Sequence, residues 1–344
     1  MIKKILIIGP SWVGDTVMAQ SLFKLLKARD TNVIIEVLAP AWTFSLLSRM
    51  PEVSQAIEMP LTHGELKLRE RFQLAKKIKD RCYHQAIILP NSFKSALIPW
   101  LAKIPVRTGW LGECRYVILN DIRYLDKKHY PLMIQQYLAL GVSREEALPS
   151  LYPYPAFAVD EASQAMTLAK HQLSKLPNKP ILALCAGAEF GPSKRWPEEY
   201  YAAVANKQLA EGWAVWLFGS YKDRPVTEKI MALTEYRCEN LSGKVELAET
   251  IDLLSVVTGV ISNDSGLMHV AAALKKPVIA IYGSTSPVFT PPLSEQATVL
   301  KLNLDCQPCF ERECPLGHHR CLRDLTPEKV LAALANWGPL CGYS

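Results

Sequence analysis

At 344 residues, with 49% hydrophobic and 21% charged side chains, the chain is long enough for two packed cores and too apolar to be disordered. No apolar run reaches the roughly 18 residues a membrane span needs, and Gly9-Pro10 ends the run Ile5-Leu6-Ile7-Ile8 with no small-residue cleavage site behind it, so a cytoplasmic protein is expected. The net charge of +6 is uneven: residues 1–150 hold 21 Lys/Arg against 13 Asp/Glu, a net of +8, and the rest of the chain is at −2. That asymmetry points the first half toward an anionic partner, with a merely solvated basic surface as the plain alternative.

In chain order, residues 5–9 read as a strand, followed by a turn and a helix through Met18, Leu22, Leu25 and Leu26, then a strand over 33–38. Such continuous apolar strands are the kind that parallel sheets bury on both faces. A strand over 86–90 and a helix near 95–101 follow, and then the proline-rich stretch 148–155 breaks the pattern. The alternation resumes with strands at 181–185, 214–219, 256–261 and 277–283. Helices are expected at 196–210, 225–233, 247–254 and 327–337. The expectation is an α/β protein of two doubly wound domains, joined near residue 155.

The βα turns carry the polar residues, as ligand-binding turns at the carboxyl ends of parallel strands do. The first is Gly9-Pro10-Ser11-Trp12-Val13-Gly14-Asp15, which lacks the G-x-G-x-x-G spacing of dinucleotide enzymes and so disfavours a nicotinamide-dependent oxidoreductase. Asp15 at its helix start reads either as a general base or as a carboxylate that only complements the helix dipole. The second is Gly187-Ala188-Glu189-Phe190-Gly191-Pro192-Ser193-Lys194-Arg195-Trp196-Pro197. Its small residues admit a ligand to the backbone, and its cations suit a diphosphate. The third, Phe218-Gly219-Ser220-Tyr221-Lys222-Asp223, ends another strand on the same rim. The fourth is Ser262-Asn263-Asp264-Ser265-Gly266-Leu267-Met268-His269, where free N–H groups at a helix start suit phosphate unless Asp264 or Ser265 merely caps it.

These turns, in this order with Asn91-Ser92-Phe93-Lys94-Ser95 and Arg107-Thr108-Gly109-Trp110 between them, resemble the ADP-heptose:lipopolysaccharide heptosyltransferases over about residues 1–300, and within that family the type II branch most. The resemblance implies a GT-B architecture, two Rossmann-like domains facing across a cleft. It divides the chain into an acceptor-binding domain over 1–155, an ADP-heptose-binding domain over 156–326, and a terminal segment 327–344 whose helix packs back on the first domain. It implies inverting transfer of heptose from ADP-heptose to the first heptose of heptosyl-Kdo2-lipid A, with type I or III acceptors as the alternative. Asp15 matches the catalytic carboxylate, and Lys194 the lysine at the donor diphosphate. Gly187, Trp196, Asp264, Ser265, Gly266 and His269 fall in the donor site. No cofactor for catalysis, no nucleic acid and a monomer are implied, at the inner face of the inner membrane. For the acceptor's carboxylates and phosphates the candidates are Lys94, Arg107, Arg115 and Arg123, with Arg69 and Arg71 weaker. A nucleotide-sugar-binding protein without catalysis is the remaining alternative, and Asp15 argues against it.

The chain has nine cysteines. Cys82, Cys114, Cys185, Cys238 and Cys341 are scattered, and an odd total without an export signal argues against a disulfide framework. Cys306, Cys309, Cys314 and Cys321 fall within sixteen residues, beside His318 and His319. They read as ligands of a structural Zn²⁺, with free thiols, disulfides or an iron–sulfur cluster as alternatives.

Overall fold

A computed structural model describes residues 2–61, 66–173 and 179–337. The chain falls into two compact units, Met1–Pro155 and Ala156–Ser344, divided within the proline-rich stretch. No helix among the described residues is long and apolar enough to cross a membrane.

The first unit runs β1 (Lys4–Ile8), α1 (Val13–Arg29), β2 (Ile34–Ala39), α2 (Phe44–Leu47), β3 (Gln55–Glu58), α3 (Leu68–Lys79), β4 (Gln85–Ile88), α4 (Phe93–Leu101), β5 (Val106–Trp110), β6 (Asp121–Arg123) and α5 (Met133–Leu138). Its six strands lie in the order β3-β2-β1-β4-β5-β6, and every pairing is parallel. Ile5, Leu6, Ile7 and Ile8 are all buried, as a central strand covered on both faces requires. Strand order reverses between β1 and β4. The turns after these two strands, carrying Asp15 and Asn91 to Lys94, therefore flank the switch point where open α/β sheets bind ligands.

The second unit runs α6 (Glu161–Lys170), β7 (Ile181–Cys185), α7 (Glu198–Ala210), β8 (Ala214–Phe218), α8 (Arg224–Leu233), β9 (Glu239–Asn240), α9 (Leu247–Val256), β10 (Gly259–Asn263), α10 (Gly266–Ala273), β11 (Val278–Ile281), β12 (Ala297–Leu300), α11 (Arg320–Arg323) and α12 (Pro327–Ala335). The order β12-β11-β10-β7-β8-β9 is again all parallel, with the switch point between β7 and β10. The strand expected over 256–261 starts three residues later: Val256 ends α9, and Asn263 belongs to the strand. The final helix, placed on the first domain by the resemblance, packs here on α7 and β11 of its own unit. Trp337 just beyond it covers Gly259, where a Cβ would stand 2.2 Å from the indole ring. Residues 338–344, with Cys341, lie outside the described residues.

Candidate active site

In the second unit the loops after β7, β10 and β11 converge on one carboxylate. Lys194 closes a 3-10 turn (Pro192–Lys194), and its Nζ lies 2.6 Å from Asp264 Oδ2. Thr285 Oγ1 donates to the same oxygen at 2.5 Å. Oδ1 has no hydrogen-bond partner among the described residues and is the oxygen left to meet a ligand. The Lys194 ammonium also sits 4.9 Å over the Phe190 ring, which Arg312 approaches from its own loop at 5.6 Å. Gly191 makes this loop possible: its φ of +155° and a Cβ position 2.5 Å from the Arg312 carbonyl oxygen leave no room for a side chain.

Asp264 follows the last residue of β10, just before the start of α10. Ser265 is the N-cap residue, but its hydroxyl is turned 3.1 Å to Ser262 Oγ and no side chain caps the helix. The first N–H groups of α10 thus lack a side-chain cap, the arrangement that can receive phosphate. Gly187 faces Asp223, whose carboxylate accepts from the Ser220 amide at 2.8 Å and hydroxyl at 2.7 Å, and a Cβ on Gly187 would stand 2.3 Å from it.

His269 is buried on α10 near both charges. Burial, more than the opposing pull of Asp264 and the added push of Lys194, drives its imidazole down to about 4. Between about pH 6.5 and 4 the unfolded chain takes up a proton that the folded one refuses, so stability falls as pH is lowered across that window. His269→Gln is expected to flatten that limb, read as the urea midpoint against pH.

Trp196, expected at the donor, is a core residue instead. It is fully buried, its Nε1 donates to Leu325 O at 2.7 Å, and it stacks edge-on against Tyr200 and Tyr201. Its amide donates to Asn263 Oδ1 at 3.1 Å, while Asn263 Nδ2 donates to Ala186 O at 2.7 Å. Asn263 thereby ties the two switch-point loops together. Neither Asn263 nor Thr285 stood out as a site residue in the sequence; Asn263 ends β10 inside a turn already marked, whereas Thr285 lies in the loop after β11, which carried no such signal.

In the first unit Asp15 lies in the first turn of α1, partly exposed. Tyr137 of α5 is buried near it, and burial together with the Asp15 charge holds that phenol well above its ordinary range. Lys94 starts α4, and its ammonium has no ion-pair or hydrogen-bond partner among the described residues.

The three arginines grouped with Lys94 are committed inward. Arg107 donates to Ile118 O at 2.8 Å and Ile104 O at 2.6 Å. Arg123 binds Asp121 through two bonds of 3.0 Å and also Val142 O. Arg115 is fully buried, and its guanidinium donates to Pro90 O at 2.8 Å, to Ser92 O, Ser95 Oγ and Asn91 Oδ1, and to Trp110 O. Burial pushes it down to about 10, so it is still a cation at neutral pH. These bonds brace the β4–α4 turn. Arg115→Met leaves those carbonyls without their donor and is expected to destabilise the protein by about 3 kcal/mol in urea unfolding, with donor binding unchanged.

The cysteine segment departs from the zinc expectation. Cys306, Cys309, Cys314 and Cys321 are free thiols lining one small cavity with His318 and His319. Among the described residues no three His, Cys, Asp or Glu side chains are placed to hold an ion together, so a structural zinc is not supported. What fixes the segment is hydrogen bonding to the donor-side loops. Phe310 N donates to Ser284 O at 2.7 Å, Gln307 Nε2 to Gly283 O at 2.8 Å, and Ser193 Oγ to Glu311 O at 2.5 Å. The thiol loop therefore buttresses the strands' ends that carry Lys194 and Thr285.

Two doubly wound parallel-sheet units, with a lysine–carboxylate pair and an uncapped helix start at the second switch point, fit an enzyme that binds a phosphate-bearing nucleotide ligand. Residues 71–320 match glycosyltransferase family 9 (heptosyltransferase). The chain is 47% identical to lipopolysaccharide heptosyltransferase 2 of Escherichia coli K12, over 96% of this chain and 97% of that protein. It is 49% identical to lipooligosaccharide heptosyltransferase 2 of Haemophilus influenzae Rd, over 96% and 98%. The solved structure of E. coli ADP-heptose lps heptosyltransferase II superposes with a TM-score of 0.87 at 44% identity, covering 97% of this chain and 98% of that one. The chain belongs to glycosyltransferase family 9, the heptosyltransferases.

Proposed function

We propose that this protein transfers heptose from ADP-heptose, with inversion, to the first heptose of heptosyl-Kdo2-lipid A. The observation that carries the reading is the Lys194–Asp264–Thr285 network beside the uncapped start of α10, a site with a cation, one available carboxylate oxygen and helix N–H groups without a side-chain cap. Near-full-length identity of 47% and 49% to proteins named heptosyltransferase 2 supports the type II acceptor over types I and III.

In this reading the first unit takes the acceptor and the second the donor. Asp15 accepts the proton of the acceptor hydroxyl as its oxygen attacks the anomeric carbon. The bond from that carbon to the diphosphate oxygen breaks, and its electron pair leaves with ADP. Lys194 and the α10 amides stabilise the charge that grows there. Asp264 Oδ1 accepts from a donor hydroxyl, and Lys94 meets an acceptor anion. The working unit in this reading is a monomer. A lipid-linked acceptor and the basic first half support peripheral contact with a membrane.

The test is ADP release from ADP-heptose with defined acceptors. Release that requires heptosyl-Kdo2-lipid A is the expected result. Release only with Kdo2-lipid A lacking heptose would make the protein type I, and ADP-heptose binding without release on either would remove the acceptor assignment.

A further inference from the structure

Helix α3 has two unlike faces. Arg71, Ala75 and Ile78 turn inward and are buried. At 100° per residue, Leu68, Phe72, Lys76 and Lys79 share another face with Arg69 at its margin, while Glu70 falls on the far side. Leu68 is 57% exposed and Phe72 49%, and Leu66 just before the helix is 49% exposed. The Lys76 ammonium lies 5.0 Å over the Phe72 ring, so cation and apolar surface form one stripe. Arg69, Lys76 and Lys79 have no ion-pair partner among the described residues.

The stripe does not stand alone. Helix α4 packs beside α3, and Arg71 Nη1 donates to Lys94 O at 3.0 Å, fixing the two helices together at the β4–α4 turn. Phe93 and Trp100, seven residues apart on α4 and so on one face of it, are 41% and 40% exposed. Two neighbouring helices thus present large apolar side chains to solvent, flanked by lysine and arginine, in the half of the chain with a net charge of +8.

We infer that this face of α3 and α4 docks the protein on an anionic lipid bilayer. Leu68 and Phe72 enter the boundary between headgroups and acyl chains, and Arg69, Lys76 and Lys79 lie among the headgroup phosphates. The charge decides the occupant: a protein–protein interface core is depleted of lysine, whereas an anionic surface recruits it. The inference rests on the proposed lipid-linked acceptor for its purpose: docking through α3 and α4 holds the neighbouring Asn91 to Lys94 turn at the level of the headgroups that carry the acceptor.

The test uses the full-length protein and vesicles containing no acceptor lipid. Sedimentation with phosphatidylethanolamine–phosphatidylglycerol vesicles is expected, and loss of it with phosphatidylcholine vesicles. L68S/F72S and K76E/K79E should each weaken partitioning by about tenfold or more. Both variants should keep the wild-type melting temperature and the wild-type rate on a soluble, deacylated acceptor, but lose rate on acceptor embedded in vesicles. Wild-type partitioning of either double variant, or no partitioning of the wild type, would overturn the inference. So would equal binding to phosphatidylcholine. Partitioning that responds as expected in a protein that releases no ADP would keep the docking face and remove the proposed reaction instead.

Discussion

Lys194→Met is expected to lower turnover at saturating ADP-heptose by about 10²–10³-fold, the range for losing one group that stabilises transition-state charge. The substitution removes more than a cation. Lys194 and Asp264 are 15% and 5% exposed as side chains, and their contact of 2.6 Å is what makes a buried carboxylate tolerable beside an anionic ligand. Without the ammonium, Asp264 keeps a charge that Thr285 alone satisfies, next to the place where the diphosphate gains negative charge. Donor affinity should therefore fall along with turnover, and the fold should lose about 3 kcal/mol, because breaking one side of a buried pair strands the other.

A double variant separates those effects. Lys194→Met with Asp264→Asn removes both charges and should recover most of the lost stability in urea unfolding. It should not recover ADP release, since the cation that faces the leaving group is still missing. Turnover restored along with stability would make the pair a structural tie and nothing more.

The architecture was readable where the strands are buried on both faces. The runs at β1, β7, β8 and β11 are continuous apolar segments with no rival period, and β2 is interrupted only by Glu36. The edge strands β6 and β9 were not. Asp121–Arg123 and Glu239–Asn240 are too short and polar to signal a strand, and they pair because a parallel neighbour offers its ladder. For the candidate site residues Asp15, Lys194 and Asp264, the place in a βα turn was legible, because such a place is itself a sequence property. Side-chain direction is not such a property. Arg115 and Lys94 look alike as cations near the same turn, yet one is buried under five oxygens and the other is unpaired among the described residues. Trp196 sits two residues from Lys194 and turns into the core because Asn263 and Leu325 hold its polar atoms there. The cysteine spacing allowed a metal, but whether four thiols converge depends on a loop path set by Ser284, Gly283 and Ser193, far away in sequence.

Asp15→Asn should reduce heptose transfer by about 10²–10⁴-fold, the usual worth of a positioned general base. The amide keeps the size and polarity of the first helical turn but cannot take the acceptor's proton. The loss to the fold should be small, because a carboxylate in that turn contributes only about 0.3–1 kcal/mol through the helix dipole. ADP-heptose affinity should stay near wild type, since the donor contacts argued above all come from the second unit. Tyr137→Phe is the companion measurement. Its phenol stays protonated beside Asp15, so its loss should act on the carboxylate's surroundings, changing the pH profile of kcat/KM while most of the transfer rate remains. If Asp15→Asn kept the wild-type rate with unchanged donor binding, the base would have to be another group in the first unit. A fall in donor affinity equal to the fall in rate would instead make Asp15 a binding residue.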